Sequence, residues 1–139
     1  MEPLMTGWMT KLGERTASWK RRFFVATNAA DNFAVFYFER EDHQDAPSRR
    51  KGAIHPCGYS VRALKREEDV KEFGEFSLVL EPHDRRRAWY LRCDSEEDRI
   101  RWKAVLRYAS THARAPLEGG LVEAAAFEDA FHRTRRRLG

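Results

Sequence analysis

Cysteine is nearly missing from this chain. Only Cys57 and Cys93 occur in 139 residues. Both fall in segments that read as strands, with neither a metal-ligand spacing nor a disulfide framework around them. Two buried free thiols in a reducing compartment are therefore expected. Long apolar runs are missing too, since no segment approaches the roughly 18 residues that span a bilayer. Nor does the N-terminus carry a basic stretch followed by an apolar one. These absences lead us to expect a soluble intracellular chain. An excess of one charge is also lacking: 26 basic and 22 acidic side chains leave a formal +4. A polyanionic partner would have to be recognised by local arrangement and not by a global field. The histidines, His43, His55, His83, His112 and His132, show no metal spacing and no neighbouring nucleophile. Neither catalysis nor a metal or cofactor is expected. There is no repeat or low-complexity segment, and the length fits one domain with a terminal extension. The abrupt ending Arg135-Arg136-Arg137-Leu138-Gly139 leaves open a domain cut from a longer protein.

What is present is a series of short segments with the period of two that marks half-buried strands. In the first, Met5, Gly7, Met9 and Lys11 share one face, and Trp8, Thr10 and Leu12 the other. The second, about residues 19 to 27, puts Lys20, Arg22, Phe24 and Ala26 on one face and Trp19, Arg21, Phe23 and Val25 opposite. "NFAVFYFE" is a third strand, apolar on both faces, followed by a polar loop over residues 40–50. "KGAIH", "YSVRAL", "FSLVL" and "AWYLRC" supply four more. Charge-rich "KREEDVKE" has little to bury and reads as a loop, and "EPHDRRR" reads as a turn.

After the strands the period changes. Ser95 and Asp98 form a variant capping box. They open a run in which Trp102, Val105, Leu106 and Ala109 fall at helical spacing, predicting an amphipathic helix over about residues 95 to 111. Pro116 and Gly119-Gly120 break the chain before a second helical stretch with Ala124, Phe127 and Phe131 in a stripe. The expected fold is mainly β: a seven-stranded antiparallel barrel-like sandwich, capped by an amphipathic helix whose Trp102 plugs one opening, plus a second C-terminal helical extension.

A strand reading G-W-x-x-K-x-G, a short loop, W-K-x-R-x-F, five further strands and a capped helix with one Trp together resemble a pleckstrin-homology (PH) domain. The marks are Gly7-Trp8, Lys11, Gly13, Trp19 to Phe24, Tyr37-Phe38-Glu39, Lys51-Gly52-Ala53-Ile54 and Trp102. The resemblance covers Pro3 to about His112, which sets the expected domain at residues 1–113 and a helical basic extension at 114–139. The first hairpin is similar to cytohesin-type, phosphoinositide-binding members. That likeness implies headgroup contacts from Lys11, Arg15, Lys20, Arg22, Tyr37 and Lys51, and a 3-phosphorylated headgroup as the preferred ligand.

Alternation supports the same cluster independently. Lys20 and Arg22 share a face, antiparallel pairing brings Lys11 beside them, and Arg21 points the other way. Three unpaired cations at one barrel end would repel one another and lose hydration, and an anionic ligand is the simplest reason to tolerate them. Departures from the relatives are Glu14, where a second glycine is common, and Ala17, in place of an extra lysine. Both should weaken binding. The turn between the last two strands is short, making His83, Arg85 and Arg86 additional candidates, or simply a solvated turn. Arg133, Arg135, Arg136 and Arg137 would face an anionic leaflet, end a helix favourably, or, if that helix packs back over the mouth, autoinhibit. The expected function is a cytoplasmic module recruited peripherally to membranes. Its partners would be phosphoinositide lipids or soluble inositol phosphates, an anionic membrane surface and, further, a protein. The rival reading is a protein-interaction PH domain with weak or non-specific anionic lipid binding. Nucleic acid is not expected, because the aromatics are needed for the barrel core.

Overall fold

The computed structural model describes residues 3–29 and 32–112. The seven strands are β1 (Met5–Leu12), β2 (Trp19–Ala29), β3 (Asn32–Phe38), β4 (Gly52–Ile54), β5 (Tyr59–Ala63), β6 (Ser77–Pro82) and β7 (Trp89–Cys93). Helix α1 (Glu67–Phe73) lies between β5 and β6, and α2 (Glu96–His112) follows β7. Every neighbouring pair is antiparallel, in the order β4-β3-β2-β1-β7-β6-β5.

That order forces the sheet to curl. Laid flat, seven strands have six gaps of about 4.8 Å, putting the edge strands about 29 Å apart. Yet the edges are β4 and β5, consecutive in sequence, and the five residue steps from Ile54 to Tyr59 reach about 18 Å at most. The two edges must therefore approach each other, as in a half-barrel. Alternation then sorts the side chains: Met9, Phe24, Val35, Tyr37, Val61, Leu78, Leu80, Trp89 and Leu91 fill the concave interior. A smaller cluster, Phe23, Val25 and Phe38 with Trp8 and Phe36 beside it, sits on the convex side.

Helix α2 closes the interior, packing chiefly on β5 and also on β7 and β6. Its start is capped as the sequence implies, with the Asp98 amide donating to Ser95 Oγ at 3.1 Å. Glu96, Glu97 and Asp98 complement the helix dipole. Trp102 is 1% exposed and meets Phe24 edge-on at 6.2 Å. It thus ties the helix to β2, across the sheet from the helix's own packing strands.

Two expectations need correction. Residues 67–73 of "KREEDVKEF" form helix α1 where a loop was expected, although none of its residues is buried. Glu67, Glu68 and Asp69 favour its N-terminus and Lys71 its last turn. Its end is fixed from outside: Gly74 takes φ 106, Ser77 Oγ donates to the carbonyls of Phe73 (2.7 Å) and Gly74 (2.8 Å), and Arg92 of β7 donates to those of Phe73 and Glu72. The ring of Phe73 stacks on Tyr90 at 4.6 Å. Cys57 lies in the turn after β4 and is half-buried, and not in a strand. Cys93 is a buried strand thiol, pushed up to about 12 mainly by burial. The extension, residues 114–139, lies outside the described residues.

Candidate functional site

The β1–β2 hairpin sets the site. In its register Lys11 lies opposite Lys20, Thr10 opposite Arg21, and Met9 opposite Arg22. The inward positions run from the fully buried Met9 and Phe24 up to Lys11, Lys20 and Arg22 at the open end. The connecting loop folds on itself, with the Gly13 amide donating to the Ser18 carbonyl at 2.8 Å. Arg15 is exposed on this loop.

Tyr37 forms the floor. Register places it against Phe24, with ring centroids 5.3 Å apart, and Trp89 meets it edge-on at 6.0 Å. Lys11 Nζ sits 4.9 Å from the centroid of the Tyr37 ring, a cation–π contact. On β4, Gly52 is paired with Tyr37, and a Cβ there would fall 2.2 Å from Tyr37 Oη. The missing side chain at Gly52 thus makes room for the tyrosine's hydroxyl end. Lys51 itself holds the Tyr37 carbonyl through its amide (2.8 Å) and pairs its ammonium with Glu39 at 3.6 Å.

The electrostatics of the cluster are unusual in what is missing. Lys11 is 8% exposed. Its ammonium is held below the ordinary lysine range, first by burial and then by repulsion from Arg87, Arg22 and Lys20. Among the described residues no carboxylate is one of the charged groups acting on it. Arg22 donates through Nη1 to the Arg21 carbonyl at 3.0 Å, but its Nε is buried without a partner among the described residues. Burial raises the Tyr37 phenol, Arg87 and Arg22 oppose the shift, and Glu14 reinforces it. The phenol therefore stays a neutral hydrogen-bond group. A cation cluster around one buried lysine, with an unspent N–H donor, is suited to an oxyanion with several oxygens.

Arg87, just before β7, belongs to this cluster and was not among the sequence candidates. Its guanidinium lies 3.8 Å over Trp89, and Nη2 donates to the Leu12 carbonyl at 3.0 Å. Nη1 is 3.6 Å from Glu14 Oε2, so Glu14 spans the mouth and occupies part of the positive field. A signal for it existed: Arg87 shares parity with the inward-facing Trp89, Leu91 and Cys93. The neighbouring candidates sit elsewhere. His83 Nε2 is 2.6 Å from Ser60 Oγ. Arg86 donates to Asp84 and to the carbonyls of His55 (3.2 Å) and Cys57 (2.6 Å), with its guanidinium over Tyr59 at 4.5 Å. Arg85 is exposed. Arg133, Arg135, Arg136 and Arg137 lie outside the described residues.

A family model described as the PH domain matches residues 3–111. A PH domain-containing protein of Dictyostelium discoideum is 26% identical over 98% of the chain, which spans only 28% of that relative's length. The C-terminal PH domain of pleckstrin, in complex with D-myo-Ins(1,2,3,4,5)P5, superposes with a TM-score of 0.59 at 21% identity, over 78% of this chain and 98% of that one. The PH domain of human oxysterol binding protein-related protein 11 gives 0.61 at 19%, over 80% and 83%. At these identities the likeness to the solved structures is one of fold.

Proposed function

This chain belongs to the PH-domain family, and we propose that it is a membrane-targeting module that holds the phosphates of a phosphoinositide, or of a soluble inositol phosphate, at the open end of its barrel. The observation that carries the reading is Lys11: a lysine only 8% exposed, pressed among the described residues by other cations, beside an Arg22 Nε with no partner among them. A fold does not keep such a cluster for stability, since burying unpaired charge is costly. An incoming phosphate supplies the missing counter-charge. In this reading Lys11 and Lys20 act as point charges, Arg22 and Arg87 as forks, and Tyr37 as a neutral donor. Arg15 reaches from the loop, and Lys51 joins by exchanging Glu39 for the ligand. That a pleckstrin domain of the same fold crystallised with an inositol pentakisphosphate supports the ligand class. The preference for a 3-phosphorylated headgroup is part of the proposal and rests on the likeness of the first hairpin to cytohesin-type domains. Peripheral recruitment from the cytoplasm follows from the same function.

Co-sedimentation with vesicles tests it. Phosphoinositide vesicles should retain the protein at a salt concentration where phosphatidylserine vesicles of equal total charge release it, because a pocket resists screening better than a surface field. Equal retention on both would make binding a matter of charge alone.

A further inference from the structure

Eight of the described arginines have a carboxylate within ion-pair distance. Arg107 on α2 is one of the seven that have none among the described residues, and Lys103, one turn before it, and Lys65 after β5 have none there either. Lys103 lies in the field of Arg107, Lys65 and Arg99, with Glu96 the only acidic group among the described residues acting on it. The described residues thus include a second group of cations without an ion pair among them, on α2 and just after β5, elements that take no part in the hairpin site.

Arg107 lines a groove of about 480 Å³ between the edge strand β5 and the C-terminal half of α2, together with residues 58–61, His83, Ser110 and Thr111, none of them acidic. Arg107 Nε donates to the Val61 carbonyl at 3.0 Å, which pins the guanidinium over the groove, with no carboxylate of the described residues on either Nη group. In an antiparallel strand a residue's N–H and C=O point to the same edge. Since the Val61 carbonyl points to α2 and away from β6, its N–H faces the groove as well. The Ser60 hydroxyl and His83 Nε2, 2.6 Å apart, supply a further polar pair at the rim. Ser110 and Thr111 donate to the Arg107 carbonyl (2.8 and 3.0 Å), so their hydrogens are already engaged.

We propose that the β5–α2 groove is a second anion site, taking a phosphate monoester through the Arg107 fork, the Val61 N–H and the Ser60–His83 pair, and acting independently of Lys11 and Arg22. Arginine supplies two parallel donors to a tetrahedral oxyanion, the strand edge supplies a fixed one, and Lys103 and Lys65 raise the local potential. The same chemistry is met by a lipid phosphate or by a soluble one.

The test is titration of the full ¹⁵N-labelled chain with inorganic phosphate at constant ionic strength, followed by the Val61 amide and Arg107 Nε–H signals. A parallel arm compares vesicles carrying phosphatidic acid with vesicles carrying phosphatidylserine. Saturable shifts at these two signals are expected, unchanged in Lys11→Ala and weakened about tenfold in Arg107→Gln, the loss of one charged hydrogen-bonding partner. Because Arg107→Gln also releases β5, Ser60→Ala and His83→Asn, which leave that clamp intact, should weaken the same shifts. Selective retention on phosphatidic acid, lost in Arg107→Gln, identifies a lipid source, and response to inorganic phosphate alone identifies a soluble one. No saturable shift and no selective retention would overturn the proposal. So would a folded Arg107→Gln that binds as the wild type does.

Discussion

Arg21 and Arg22 are consecutive residues of β2 with opposite fates. Arg21 points to the convex face, where it makes two hydrogen bonds to the Asp94 carboxylate at 2.7 and 2.8 Å and lies 5.3 Å from the Trp8 ring. Arg22 points inward, borders Lys11 and Lys20, and leaves its Nε without a partner among the described residues. One guanidinium is engaged by a carboxylate, and the other keeps a buried N–H that no described residue accepts. A strand that is merely a solvated charged face would not divide its arginines so sharply. The division follows from alternation alone: residues of even number in this strand join the core face, those of odd number the outer face.

The inner face is one continuous surface from the helix to the mouth, so the largest expected effect lies at its far end. Trp102→Ala should lower stability by about 3 to 5 kcal/mol in chemical denaturation, through loss of a buried aromatic. Melting like the wild type would separate the helix from the face on which the site is built. At the mouth, Arg22→Ala and Lys20→Ala should each weaken inositol phosphate binding by about 1.5 to 3 kcal/mol, against under about 1 for Arg21→Ala. Arg21→Ala should instead cost a little stability, through an exposed pair worth under about 1 kcal/mol.

Lys11 sharpens the contrast because its two roles have opposite signs. Its folded pKa is depressed by burial and cationic neighbours, so the empty fold disfavours the charged form. That penalty is present at neutral pH and is relieved as pH rises through the depressed folded value toward the ordinary lysine range. Ligand affinity falls over the same window, since the neutral amine no longer attracts phosphate. Lys11→Met should therefore keep or raise the melting temperature at pH 7 while abolishing binding. A variant that loses both together would make Lys11 an ordinary structural residue. The smallest effect is expected at Glu14, whose carboxylate competes for Arg87. Glu14→Gln should tighten inositol phosphate binding by up to about fivefold, the scale of an exposed ion pair, as measured by calorimetry.

Much of this was legible in the chain because the relevant signals are local. The seven strands, their inward faces, the Ser95 cap and the Trp102 stopper all follow from a period of two giving way to one of 3.6. So did the convergence of Lys11, Lys20 and Arg22, which needs only a hairpin and alternation. What escaped depends on partners distant in sequence. Helix α1 buries no residue, and Arg92, some twenty positions later, satisfies its final carbonyls. Arg87 looked like one more member of an arginine-rich turn, because only the curl of the sheet brings it over Trp89 and beside Leu12. Arg86 was drawn away by the turn after β4, whose carbonyls it binds. Three consecutive arginines differ in parity and in reach, and composition cannot tell them apart.

The reading of the mouth is tested most directly by calorimetric titration of soluble inositol phosphates into the wild-type chain, Arg21→Ala and Arg22→Ala at one ionic strength. Saturable one-site binding that survives Arg21→Ala and falls at least tenfold in Arg22→Ala is the expected result. Equal losses in the two variants would show that charge alone, and not the inward face of β2, attracts the ligand.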